Sequence, residues 1–174
     1  LHIPEADHRE ILRDFRQMTK TAANLGFRIT ADISPRTFKV LEIAPEKPEA
    51  FLELGIHTLR LDFGFQLEET LLMAKSLACE LELNASTVDK ALLEQLFSAG
   101  ISPERLRACH NFYPRPETGL SYEHFSAQSR LCKEAGIPVF AFISSNQNPR
   151  GPIFQGLPTL ERHRYLSPAV AAKD

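Results

Sequence analysis

The sequence predicts an α/β fold of parallel strands, a (β/α)8 TIM-type barrel present in part, and three observations lead there. Strand-like and helix-like runs alternate along all 174 residues, and such alternation joins parallel strands through right-handed crossovers. The unit length is close to the roughly 31 residues per unit of a ~250-residue eight-unit barrel. The strand-like runs are ionic on one parity and apolar on the other, whereas strands of an open parallel sheet, covered by helices on both faces, should be apolar on both. An open doubly wound sheet fits the alternation equally well. No glycine-rich phosphate turn follows the first run, however, as it often does in a nucleotide-binding fold of that kind.

Each element has a local reason. Residues 7–25 place Ile11, Leu12, Phe15, Met18, Ala22 and Leu25 at helical spacing. RITADI (28–33) reads as a strand, and Ser34-Pro35 then sets a capping side chain before a proline suited to the first helical position. HTLRLDF (57–63) is the second strand, followed by a helical segment over 67–78. CELELNA (79–85) is the third, and Ser86 with Asp89 has the spacing of a capping box for a helix over 87–99. Ser102-Pro103 precedes LRACHNF (106–112), a helix is predicted over 121–135, PVFAFIS (138–144) is the fifth strand, and Ser167-Pro168 opens a last helix. Gly26, Gly55, Gly100 and Gly136 stand where helices should stop. The start LHIPE resembles the end of a strand and its loop, and the end SPAVAAKD the opening of a helix. Five strands and a stub do not close a barrel, so the chain is expected to be an internal piece of a longer one.

Side chains alternate across a strand. One face of the first three strands therefore carries Arg28, Thr30 and Asp32, then Thr58, Arg60 and Asp62, then Glu80, Glu82 and Asn84. The opposite faces are Ile29, Ala31 and Ile33, then Leu59, Leu61 and Phe63, then Leu81 and Leu83. In a barrel the apolar face would pack on helices and the ionic face would line the interior, where charges must pair. Arg28 and Arg60 offer two cations to four acids.

Composition narrows the function classes. A net charge of −2 with 43% hydrophobic residues and a pI near 6.3 offers no basic stripe for nucleic acid. The longest apolar runs, such as VFAFI (139–143), are far too short to span a bilayer. No charged-then-apolar leader stands at the start, and three cysteines without a C-x-x-C read as reduced thiols. A cytoplasmic protein without metal or other cofactor is expected.

Seven stretches, LHIPE, ADISPR, LRLDFGF, ELNAST, HNFYPRPETGLS, AFISS and RGPIFQGLPTLERHR, together make the chain resemble the MupG-type 6-phospho-N-acetylmuramidase family, whose members are often called outer surface proteins. The resemblance covers nearly the whole chain. It implies an N-terminal (β/α)8 barrel followed by a smaller, mostly β domain. This chain would run from the end of the second barrel strand to just before the eighth, without the C-terminal domain. The implied activity is cleavage of the β-1,4 bond between 6-phospho-N-acetylmuramic acid and N-acetylglucosamine, in cell-wall recycling inside the bacterial cell.

In such barrels function sits where strands end and βα loops begin. Glycoside cleavage usually needs two carboxyl groups. Asp32 and Asp62, at the ends of neighbouring strands, come first, then Glu82, one inward layer below Asn84, then Glu5 on the same rim. A charge-balanced barrel core is the competing explanation for these acids. Asn84 and Arg60 are candidate sugar contacts, as are His110 and Asn111, with Tyr113 as a stacking wall and Arg115 as an anion contact in the loop after the sixth barrel strand. Capping of the barrel is that loop's structural alternative. Arg150 and Gly151, after the seventh strand, are candidate phosphate contacts. Gly151 and Gly156 have phosphate-loop spacing but lack the Lys-Ser/Thr, and Asn84-Ala85-Ser86 matches a glycosylation sequon that means little without secretion. His163 reads as a helix-start or surface histidine. The expected partner is a small phosphosugar, with neither nucleic acid nor membrane, and a homo-oligomer is compatible with the sequence. Two other functions compete: a non-catalytic phosphosugar-binding barrel, and a lyase or aldolase using a lysine Schiff base. The latter would need a lysine from elsewhere, because none of the five strand runs contains one and Lys39, Lys75, Lys90 and Lys133 fall in helices.

Overall fold

The computed structural model describes residues 9–44, 47, 49–61, 64–76 and 79–174. Helix α1 (Arg9–Asn24) leads to strand β1 (Ile29–Ile33), then α2 (Pro35–Leu41), the short α3 (Ala50–Glu53), β2 (Ile56–Leu61), α4 (Leu67–Ser76) and β3 (Glu80–Asn84). After these come α5 (Lys90–Ser98), β4 (Leu106–Cys109), α6 (Tyr122–Glu134), β5 (Val139–Phe140) and α7 (Pro168–Ala171), with 3-10 turns at Pro103–Arg105 and Glu161–His163. The strands form one sheet in the order β1-β2-β3-β4-β5. The pairs β1–β2, β2–β3 and β4–β5 run parallel, the chain-order arrangement that alternation predicts. Among the described residues the sheet is not closed and β1 and β5 stand at its edges, as expected of five strands that do not complete a barrel, since closure needs strand number, tilt and stagger to match.

The local signals hold with adjusted boundaries. Ser34 donates its backbone N–H to Thr37 Oγ1 at 3.0 Å, and Pro35, Pro103 and Pro168 each open their helical turn. Gly26, Gly55, Gly100 and Gly136 all take positive φ. Gly55 needs its hydrogen twice over, because a Cβ there would also lie 2.9 Å from the Ala23 Cβ. This close approach sets how α1 packs. Phe15 and Thr19 are buried, while Ile11, Met18 and Leu25 are exposed, so the inward line of α1 is Phe15–Thr19–Ala23 and not the wider stripe of the sequence pattern. Helix α5 begins at Lys90, too late for Ser86 to cap it.

Strands β4 and β5 are shorter than the runs 106–112 and 138–144. The reason is where their backbone groups bond. His110 N–H still donates to Phe140 O at 2.9 Å, but Phe142 O accepts from Thr159 N–H at 2.9 Å, and Phe142 N–H donates to Thr159 Oγ1 at 2.9 Å. A returning loop thus replaces the ladder.

The chain divides into two compact units, Leu1–Leu83 with Ala91–Arg107, and Asn84–Lys90 with Ala108–Asp174. The first has an apolar core. Ile29, Ala31 and Ile33 of β1 are buried, as are Phe38 and Leu41 of α2, Phe51, Leu59, Met73, Leu81 and Leu96. The Phe38 and Phe51 rings meet edge-to-face at 5.4 Å. Each such fully buried side chain contributes about 1.5–3 kcal/mol by leaving water. The second unit buries Ala108, Cys109, Cys132, Ile137 and Leu160 together with His110, Ser129, Thr159 and Arg164, and this polar core must be closed by hydrogen bonds. Cys79, Cys109 and Cys132 are buried thiols, in no disulfide among the described residues. No described helix is long and apolar enough to cross a membrane.

Candidate active site

The ionic strand face of the first unit is real, and it is organised as a row. Register places Asp32 of β1 beside Arg60 of β2, and Arg60 beside Glu82 of β3. Arg60 Nη1 lies 3.7 Å from Asp32 Oδ1, and its Nε lies 3.6 Å from Glu82 Oε1. Arg107 of β4 closes the row, with Nε 2.7 Å from Glu82 Oε2. Glu82 is therefore held between two guanidiniums while only 3% exposed. Burial pushes its carboxyl above the ordinary value, and Arg107 and Arg60 pull it back. Asp32, with 21% of its side chain exposed, is the more exposed acid of the row. Farther out, Arg28 pairs with Glu80 at 2.5 Å, and Thr58 Oγ1 donates to Glu80 Oε2 at 3.0 Å. Arg107 was missed from the sequence because strand parity was weighed on three runs only. It is the one charge in the fourth run. Asp62 and Glu5 lie outside the described residues. None of the five strands carries a lysine.

In the second unit, Asn84 ends β3 and folds back. Its Oδ1 accepts from Ser86 N–H at 3.0 Å, and its Nδ2 keeps no partner among the described residues. His110 is not the inward-reaching sugar contact expected. It is fully buried, with Nδ1 3.3 Å from Ser86 Oγ and Nε2 3.0 Å from Ser129 Oγ. Its ring lies 4.7 Å from that of Phe125. Desolvation, with the nearby His124 second, lowers its pKa to about 4, so the imidazole is neutral. Ser86 Oγ accepts from Asn111 N–H at 2.9 Å, and with the proton on Nε2 the relay Asn111–Ser86–His110–Ser129 is consistent throughout. Ser86, which its spacing marked as a helix cap, serves instead as the hinge between His110 and the next loop.

The 109–121 loop carries its candidates outward. Asn111 and Tyr113 are half-buried and Arg115 is exposed. Tyr113 N–H donates to Pro158 O at 3.0 Å, and Thr159 Oγ1 donates to Asn111 O at 2.9 Å. The strongest hold comes from the ERHR stretch. Glu161 accepts from Glu117 N–H at 3.0 Å and from Gly119 N–H at 2.7 Å, and Arg164 donates two bonds of 2.6 Å to the same carboxylate. These donors hold the Glu161 carboxyl down to about 2. Neither residue was singled out from the sequence, although their three-residue spacing is that of a helical ion pair. His163, expected at the surface or a helix start, sits buried in the 3-10 turn with Nε2 2.9 Å from Asp174 Oδ2, because that turn points it inward.

After β5, Arg150 is exposed, and its carbonyl accepts from Phe154 N–H at 3.3 Å. Gly151 does not offer its bare face to an anion: a Cβ there would sit 3.0 Å from the Phe154 ring. Beside it lies a cavity of about 240 Å³, lined by residues that include Ser145, Asn146, Phe154, Gln155, Gly156 and Tyr165.

A parallel α/β sheet with an ionic strand face, carrying long polar loops after its strands, defines an α/β protein of the kind that builds its sites at strand ends. The chain belongs to the family described as 6-phospho-N-acetylmuramidase, N-terminal (MupG_N), whose model matches residues 1–174. Two solved structures are similar. One is described as a conserved protein from a locus in Enterococcus faecalis with an unknown function, 34% identical with a TM-score of 0.79, and the match covers 93% of this chain and 44% of that one. The other, an uncharacterized B. cereus protein, is 35% identical with a TM-score of 0.77, covering 92% of this chain and 45% of that one. The chain thus spans less than half the length of the structures it matches. No curated protein matches it.

Proposed function

We propose that residues 1–174 form part of a (β/α)8 barrel in an intracellular glycoside hydrolase. The enzyme would cleave the bond between 6-phospho-N-acetylmuramic acid and N-acetylglucosamine in cell-wall recycling. The observation that carries this reading is the family match over the whole chain. The row of charges supports the roles. Asp32 serves as one carboxyl of the catalytic pair, with Asp62 as the other. Glu82, between Arg60 and Arg107, holds Arg60 against Asp32 and stands third as a proton carrier, with Glu5 fourth. Asn84 Nδ2, Asn111, Tyr113 and Arg115 contact sugar, and Arg150 takes the phosphate through a planar fork of donors.

The test uses the full-length protein and the phosphorylated disaccharide, with released N-acetylglucosamine measured by chromatography. The wild type is expected to release it. Asp32→Asn and Asp62→Asn should each lose about 100-fold or more in turnover, the range for lost general acid–base catalysis, while still binding substrate. Glu82→Gln and Glu5→Gln should lose less. Arg150→Ala should weaken the phosphorylated substrate far more than its unphosphorylated analogue. Binding without release by the wild type would overturn the hydrolase in favour of a phosphosugar-binding protein. Near-normal turnover in both aspartate variants would remove the pair.

A further inference from the structure

The 109–121 loop is exposed from Pro114 to Thr118. Backbone bonds hold it on either side, at Tyr113 and Leu120, and one carboxylate holds the exposed part between them. Glu161 Oε1 takes Glu117 N–H and Arg164 Nε, while Oε2 takes Gly119 N–H and Arg164 Nη2. Arg164 extends the tie in two directions. Its Nη2 also donates to Arg115 O at 2.9 Å, and its Nη1 donates to Gln155 O at 3.2 Å. Thr118 Oγ1 reaches the same Arg115 carbonyl at 2.6 Å. The Arg164 side chain is 0% exposed, and its guanidinium donates to Glu161 and to the two backbone carbonyls. The approach is so close that a Cβ on Gly119 would lie 2.6 Å from Glu161 Oε2 and 2.8 Å from Glu161 N. The backbone of Arg115 is thus held from the inside while its side chain remains outside.

We infer that Glu161 and Arg164 are positioning residues. Through the backbone of Arg115 and Gln155, they set the loop after β4 and the loop after β5 in one arrangement, so that the Arg115 guanidinium is presented to an anionic sugar ligand. This rests on the phosphosugar reading above and adds to it the groups that preorganise the loop. An unclamped loop would pay an ordering cost on every binding event. A carboxylate taking two backbone N–H groups and a bidentate guanidinium leaves few arrangements open.

The experiment uses the full-length protein and the variants Glu161→Gln, Arg115→Ala and the double variant. Two quantities are read: cleavage after Glu117 by a glutamate-specific protease, and the Kd for 6-phospho-N-acetylmuramic acid by calorimetry. Glu161→Gln should speed cleavage at least about tenfold and raise Kd about tenfold, a loss on the scale of one charge-assisted interaction. If Glu161 acts through Arg115, the double variant should bind no more than about twofold worse than Arg115→Ala alone, since coupled residues are not additive. Glu161→Asp, which keeps the charge, should recover part of the affinity, and it replaces Glu161→Gln in the cycle if the amide variant does not fold. Unchanged cleavage overturns the clamp. Faster cleavage with unchanged or simply additive Kd reduces it to a stabilising contact and overturns the positioning role, as does a wild type without affinity. Affinity without turnover would instead sink the hydrolase reading and leave the cycle intact.

Discussion

His110 shows most clearly how a residue's surroundings outweigh its type. It stands at the end of a strand, where a ligand contact is expected, yet it is enclosed by Ser86, Ser129 and the Phe125 ring. With its folded pKa near 4 and an ordinary value of 6.5, the folded chain holds a neutral imidazole while the unfolded chain takes up a proton below 6.5. The stability this group contributes is therefore fully present above pH 6.5 and is lost as pH falls from 6.5 to 4. His110→Gln is expected to cost about 1–3 kcal/mol at pH 7, the loss of a buried hydrogen-bonded group, and to flatten the dependence in that window. Urea unfolding at several pH values measures both, and an unchanged slope would mean that His110 is not protected from protonation. At the same scale, Asp32 and Glu82 sit on one row but differ in access: Asp32 is partly exposed, whereas Glu82 is buried between two arginines.

At the scale of elements, the loops and helices are placed by a few close approaches that only glycine allows. Helix α1 meets the turn before β2 at Gly55, whose φ of +77° and 2.9 Å virtual contact with Ala23 exclude a side chain for two separate reasons. Gly55→Ala should destabilise by about 1–3 kcal/mol, combining left-handed backbone strain with overpacking. Gly26→Ala provides the control. It shares the positive φ, but nothing lies within 4 Å of its virtual Cβ, so its cost should be smaller by the packing part alone. Equal losses in thermal or urea unfolding would show that the contact with α1 carries no weight.

For the whole molecule, the described strands form one five-stranded sheet in which β2, β3 and β4 are interior and β1 and β5 stand at the edges. The β5 edge is the weaker of the two, with two residues in the strand and Phe140 45% exposed. Native-state hydrogen exchange should therefore rank β2 and β3 as the slowest amides and β5 among the fastest strand amides, because local opening follows burial and contact density. Protection at β5 equal to that at β3 would show that this edge is covered in solution.

The alternation of strands and helices, the helix starts at Ser-Pro pairs, the glycine stops and the two-faced strands were all legible in the sequence. Each depends on backbone preference or on a period of 2 or 3.6, which neighbouring residues carry by themselves. The Asp32–Arg60–Glu82 part of the charged row was legible for the same reason, since parity and strand order already put those residues side by side. Arg107 as the second partner of Glu82, His110 as a core residue and the Glu161–Arg164 clamp were decided by tertiary structure. The clamp joins residues more than 40 positions apart, and His110 is neutral because a helix and a loop distant in sequence remove it from water. The choice between barrel and open sheet was likewise beyond local signals: periodicity specifies that strands lie parallel, while tilt, stagger and strand number along the whole sheet decide whether edges can meet.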